Sequence, residues 1–211
     1  MSGVSAVVLA AGAGSRFGGG KLLAPFGGRP LIEATLEGLR GAPVDETIVV
    51  VGTEGEGLRG VSTAYGARVV ENRDWAEGMS TSVRAGLAAC SPSSRAAVVA
   101  LADQPLVGAG AVERLVGAFE GGARVAVATY GGEPRNPALF ARDVWPVLER
   151  EMSGDRGARA VLARHPELVT EVPCDDVADP ADVDTVEDLR RLEGGLTVPG
   201  YRGTTRQRRN R

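Results

Sequence analysis

Val7-Val-Leu-Ala-Ala-Gly12-Ala-Gly14-Ser-Arg16-Phe-Gly18-Gly-Gly20-Lys21 is the stretch on which the reading of this chain turns. A short valine-rich run, Val4–Ala10, passes directly into backbone carrying five glycines and two cations. A continuous apolar run of that length suits a strand buried on both faces, as in a parallel sheet. Glycines let main-chain N–H groups close around phosphate oxygens, and Arg16 and Lys21 supply the counter-charge. Spacing excludes two familiar phosphate-binding loops. A P-loop needs Ser or Thr after its lysine and opens on a glycine; here those positions are Leu22 and Ser15. The dinucleotide fingerprint fails because Phe17 stands where its third glycine belongs.

Working outward, the same alternation recurs. Thr47–Val51, Arg68–Val70, Ala96–Leu101 and Val125–Thr129 read as further short strands. Pro30–Leu39, Ser80–Ala89 and Gly110–Phe119 carry apolar residues at helical spacing, with Pro30 suited to a first turn. The pattern predicts α/β architecture: a three-layer sandwich with a mostly parallel central sheet. Helices are expected at Asp143–Glu151 and Asp155–Arg164, and a strand at Leu168–Val172. A closing helix should start at Thr185, where Thr185-Val-Glu-Asp188 has capping-box form. One domain is expected over residues 1–193, followed by a disordered basic tail, 194–211.

Composition narrows the function. Of 211 residues, 43% are apolar and 24% charged, an ordinary globular balance. The net charge of −3 conceals an asymmetry: five arginines lie in the last ten residues, leaving 19 basic and 27 acidic side chains in residues 1–201. A body that acidic is a poor nucleic-acid surface, so no nucleic-acid partner is expected. No apolar stretch reaches the roughly 18 residues of a spanning helix, and no cleavable leader is seen; a cytoplasmic protein without a membrane partner is expected. The single histidine, His165, precludes an HExxH zinc site. Cys90 and Cys174 form no CxxC pair and read as inert thiols.

Four acidic or hydroxyl positions each admit a structural reading. Asp103 follows the strand Ala96–Leu101, where ligands bind in open α/β sheets; it is either a hard-oxygen ligand for Mg²⁺ or a cap for the next helix. Asp184 lies in an acid-dense run from Glu171 to Asp188, most of which is accounted for by a solvated loop and an acidic helix start. Ser80 and Ser82 stand where hydroxyls could cap a helix.

The opening motif, Leu9-Ala-Ala-Gly12-x-Gly14-Ser15-Arg16-Phe17-Gly18-x-x-Lys21-Leu22, resembles that of MobA-like nucleotidyltransferases, with Phe17 where Met is usual. The resemblance continues through Glu71-Asn72 and Gly78-Met-Ser80-Thr-Ser82-Val-Arg-Ala-Gly86-Leu, then Leu101-Ala-Asp103-Gln-Pro105, Gly154-Asp-Arg-Gly157-Ala-Arg159 and Asp182-Val-Asp184. Within that superfamily the chain most resembles molybdenum cofactor cytidylyltransferases. The resemblance implies a Rossmann-like fold and Mg²⁺-dependent transfer of CMP from CTP to the terminal phosphate of molybdopterin, releasing pyrophosphate. It implies catalytic roles for Arg16, Lys21 and Asp103, and metal binding by Asp103 and Asp184. Nucleotide contacts are implied for Leu9, Ala10, Ala11, Gly12, Gly14, Ser15, Arg16, Lys21, Asn72, Gly78, Ser80, Ser82 and Asp103. A molybdoenzyme receiving the cofactor is a further implied partner. Arg135-Asn136-Pro137 departs from the family's frequent Gly-His-Pro, which leaves the acceptor open. Two rival functions are an NAD(P)H-dependent oxidoreductase of the same fold and a molybdenum-cofactor chaperone.

Overall fold

The computed structural model describes residues 2–52 and 55–195; the expected tail lies, from residue 196 on, outside the described residues. The first half contains β1 (Val4–Ala10), a small hairpin β2 (Pro25–Phe26) and β3 (Arg29–Pro30), α1 (Leu31–Gly38), β4 (Glu46–Val51), α2 (Gly55–Ala64), β5 (Arg68–Glu71) and α3 (Met79–Ala89). The second half contains β6 (Ala96–Leu101), α4 (Ala109–Glu120), β7 (Val125–Tyr130), β8 (Glu133–Ala141), α5 (Trp145–Glu151), α6 (Arg159–Leu162), β9 (Val169–Pro173) and α7 (Val186–Gly194).

Seven strands form one sheet in the order β5-β4-β1-β6-β8-β7-β9, the mostly parallel arrangement expected. β1 sits near its middle, all seven residues buried, paired in parallel with β4 on one side and β6 on the other. Side chains alternate across it with the two-residue period of a strand. Val4, Val8 and Ala10 enter a core under α1, α2, α4 and α7, whereas Val7 and Leu9 enter a second core under α3, α5 and α6. Helix α3 lies close to the sheet at Gly86, where a Cβ would fall 2.3 Å from Val7 Cγ1.

Four points of the sequence reading need correction. Strand β8 was not foreseen, and it runs antiparallel to both neighbours. Its cause was legible: Gly131 and Gly132 both take positive φ, 59° and 80°, the two-residue turn that suits a hairpin. The helix expected over 155–164 is instead a 3₁₀ turn, Gly154–Arg156, followed by the short α6. Gly157, at φ 51°, breaks the two apart. Pro30 precedes α1 as its N-cap residue rather than lying in its first turn. Helix α2 was also missed; its glycine-rich segment, Gly55–Ala64, carries little helix propensity and is held by Leu58 in the core.

This topology places the site. From β1 the chain moves outward to β4 and β5, then returns to β6 on the opposite side of β1. A crevice opens where the strand order reverses, at the carboxyl ends of β1 and β6. Those ends are level, with Leu9 opposite Leu101. Among the described residues, no helix is long and apolar enough to cross a membrane.

Candidate functional site

The glycine-rich loop leaves β1 at the crevice. Amides of Phe17, Gly18 and Gly19 all point back to the Gly14 carbonyl, at 2.9–3.2 Å, coiling the loop tightly. Gly18, Gly19 and Gly20 take φ of 94°, 90° and 65°, a run that residues with a Cβ resist. The 3₁₀ turn Lys21–Leu23 closes the loop, with Leu22 buried in the core and Lys21 directed across the crevice. Leu9, Ala10 and Ala11 are buried beneath it, whereas Gly12, Ser15 and Arg16 face solvent and Gly14 is half-buried. A Cβ on Gly12 would meet no protein atom within 4 Å, so packing does not demand glycine there.

Across the crevice, Asp103 and Asp184 converge on one nitrogen. Lys21 Nζ lies 2.6 Å from Asp103 Oδ2 and 3.6 Å from Asp184 Oδ1. Arg16 reaches Asp184 Oδ2 at 2.9 Å from the solvent side. The fold thus brings together four residues from three separate parts of the sequence. Asp103 does not cap the next helix, because α4 begins at Ala109 behind Gly108. Asp184 sits immediately before the capping box, in which Thr185 and Asp188 exchange hydrogen bonds as expected. Among the described residues no three acidic, His or Cys side chains form a ready metal cage. The carboxylate pair nonetheless fits Mg²⁺, which takes only one or two protein carboxylates beside phosphates and waters. Lys21 Nζ shows that the pair already accommodates a cation.

The second group of predicted nucleotide contacts is turned inward. Asn72, Ser80 and Ser82 are 5%, 1% and 5% exposed. Asn72 Nδ2 donates to Thr81 Oγ1 at 2.8 Å and Ser82 Oγ at 2.9 Å, tying the end of β5 to the start of α3. Neither serine caps α3: the N-cap is Gly78, and its position receives no side-chain cap. Gly78 has φ 110°, and a Cβ there would fall 2.5 Å from the Gly154 carbonyl carbon. That glycine therefore seats the 154–157 segment on α3, a packing demand separate from any ligand.

Beside the carboxylates lies a cavity of about 1100 Å³. Leu9, Val99, Val127, Ala138 and Phe140 give it an apolar floor on the sheet, Val83 lines it from α3, and Leu162 from α6. Its polar wall includes Gln104, Arg135, Asn136, Arg159 and Asp182. The cavity does not extend over Lys21 or Asp103; it begins next to them, at Leu9, Leu101 and Gln104. The Asp182 carboxyl is held above its usual range, first by burial and then by repulsion from Asp103. Sequence reasoning overlooked Asp182 and Gln104 as site residues, although both fall inside the quoted motifs. His165 lies away from the crevice, its ring between Glu151 at 3.1 Å and Glu167 at 3.4 Å. Both cysteines are buried, and burial raises both thiols above their ordinary value, which keeps them protonated and unreactive.

Sheet order and crevice define a Rossmann-like α/β protein with its ligand site at the carboxyl ends of the parallel strands. The chain belongs to the MobA-like NTP transferase domain family, whose sequence model matches residues 6–169. It is 36% identical over 197 residues to nicotine blue oxidoreductase of Paenarthrobacter nicotinovorans, covering 90% of this chain and 96% of that one. It is 29% identical over 197 residues to molybdenum cofactor guanylyltransferase of Rhodobacter capsulatus, covering 92% and 96%. Among solved structures, Rv0371c from Mycobacterium tuberculosis in complex with manganese superposes with a TM-score of 0.77, at 31% identity over 92% of this chain and 99% of that one.

Proposed function

We propose that this nucleotidyltransferase moves CMP from CTP to the terminal phosphate of a molybdopterin-type acceptor. The observation that carries the reading is the convergence of Lys21, Asp103 and Asp184 at the mouth of the 1100 Å³ cavity. Triphosphate would lie over the glycine loop, where Gly12 leaves open space, and the acceptor's ring system would enter the apolar cavity beside it. The molybdenum cofactor guanylyltransferase relative and the manganese complex of Rv0371c support an acceptor and a divalent ion of these kinds.

Mg²⁺ held by Asp103 and Asp184 would supply charge neutralisation to the phosphates. The remaining work falls to the chain. An acceptor phosphate oxygen attacks the α-phosphorus; a new P–O–P bond forms as the bond to the β-phosphate oxygen breaks, and pyrophosphate leaves with that electron pair. Arg16 and Lys21 stabilise the charge growing on the leaving group, an electrostatic role that needs no catalytic histidine.

A second reading has one observation in its favour, the 36% identity to a protein named nicotine blue oxidoreductase. Pyrophosphate release with each of four NTPs, with and without molybdopterin, separates the two when run beside NADPH oxidation with an aromatic substrate. CTP should bind at least about tenfold tighter than GTP, a difference of about 1.4 kcal/mol that one or two base hydrogen bonds can provide. Asp103→Asn should lower turnover by orders of magnitude while the fold survives. GTP binding as tightly as CTP would refute the cytidylyl assignment, and NADPH oxidation without pyrophosphate release would replace the transferase reading.

A further inference from the structure

We propose that Gln104 is a positioning residue whose side-chain amide clamps the 180–184 loop to the end of β6 and so sets where Asp184 stands relative to Asp103. The proposal rests on the reading of these two aspartates as the cation-binding pair.

Gln104 is 3% exposed. Its Nε2 donates to the Pro180 carbonyl at 3.0 Å and to Asp182 Oδ1 at 2.9 Å, reaching across 76 and 78 residues of sequence. Two backbone bonds follow the same seam: Val183 N donates to Asp103 O at 2.9 Å, and Asp179 N donates to Leu106 O at 3.3 Å. The loop has no regular secondary structure between β9 and α7 to hold it. Downstream, Asp184 is anchored by the Thr185–Asp188 cap. Upstream, Arg114 pairs with Asp176 at the start of the loop, and over 180–184, beside the buried Val183, the side chain that reaches in from another element is Gln104. Between these anchors the Asp184 carboxylate meets Lys21 Nζ, which Asp103 also contacts.

The amide is retained at a cost. Gln104 Oε1 is buried and has no hydrogen-bond partner. Such orphaned acceptors are uncommon and call for an explanation. An apolar side chain of the same length would fill the space without the orphan, but it would donate nothing to Pro180 or Asp182. The donor half of the amide therefore accounts for the residue. Side chains behind the ligands of a metal fix the ligands' geometry, and losing them typically weakens metal affinity by about 10–100-fold.

Mn²⁺ titration of the full chain, followed by electron paramagnetic resonance without nucleotide, tests this. Gln104→Leu changes no charge, and it should weaken Mn²⁺ binding by about tenfold or more. Hydrogen exchange at the Val183 amide should quicken in the same variant. A pair at position 182 repeats the test from the acceptor side without touching Gln104. Asp182→Asn and Asp182→Ala remove the same charge, but only Asn keeps a carbonyl for Gln104 Nε2. The Ala variant should bind Mn²⁺ several-fold more weakly than the Asn variant. Wild-type affinity in Gln104→Leu, or equal affinities in the two variants at 182, overturns the clamp. Wild-type Mn²⁺ binding that Asp103→Asn leaves unchanged overturns both the clamp and the metal pair. If the Mn²⁺ order holds while every NTP is inert, the clamp stands and only the proposed transfer falls.

Discussion

Replacing Lys21 with Ala should move metal binding and turnover in opposite directions. In this structure the ammonium sits 2.6 Å from Asp103 Oδ2 and 3.6 Å from Asp184 Oδ1, between the two carboxylates proposed to hold a divalent ion. A fully solvated ion pair contributes only about 0–1 kcal/mol. Lys21 and Asp103 are only 13% and 23% exposed, so the upper range of a charge-assisted hydrogen bond, about 1.5–3 kcal/mol, is the better guide. An incoming ion must displace that contact. Its removal should therefore raise Mn²⁺ affinity in the absence of nucleotide by roughly 10–100-fold. With CTP present the outcome reverses. A phosphate contact that strengthens as pyrophosphate departs is lost, and kcat should fall together with nucleotide affinity. Electron paramagnetic resonance of free Mn²⁺ gives the first quantity, and pyrophosphate release at saturating CTP gives the second. Unchanged or weaker Mn²⁺ binding would refute the idea that Lys21 holds the ion's place. Unchanged kinetics would reduce the glycine loop to a surface turn.

Two further expectations concern stability. Gly86→Ala places a methyl 2.3 Å from Val7 Cγ1 and 3.2 Å from Val50 Cγ2. Overpacking of about 1–3 kcal/mol should outweigh the roughly 1 kcal/mol gained in helix propensity, and calorimetry should show a lower Tm; a higher one would refute the close approach of α3. The Glu46 carboxyl is held below its ordinary value: burial pushes it up, but hydrogen bonds from the Ser91 amide, the Ser5 hydroxyl and Arg68 outweigh burial. A lowered pKa contributes stability above the ordinary carboxylate range, lost as pH falls through the folded value. Glu46→Gln should therefore melt lower than wild type at neutral pH, with the gap closing as pH falls below the ordinary carboxylate range. A gap independent of pH would contradict this account.

Local chemistry carried the architecture in the sequence alone. Val4–Ala10 and Ala96–Leu101 form strands with the boundaries their apolar runs suggest, because a strand buried on both faces needs continuous apolar residues. Thr185 and Asp188 cap α7 through groups three residues apart, so nothing distant is required. The glycine loop with Arg16 and Lys21 was legible for the same reason, since strand, loop and cations are contiguous. Tertiary structure alone decided the rest. Asp103 and Asp184 are far apart in the chain, and only the reversal of strand order beside β1, with the 180–184 loop laid along the end of β6, brings both to Lys21. The bond from Asn72 to Ser82, which ties the end of β5 to α3, joins residues ten apart through the fold. Gly78 and Gly86 are set by neighbours from elsewhere in the chain, Gly154 and Val7. A residue's type limits what it can bond to, but which partner lies within reach depends on how the chain packs.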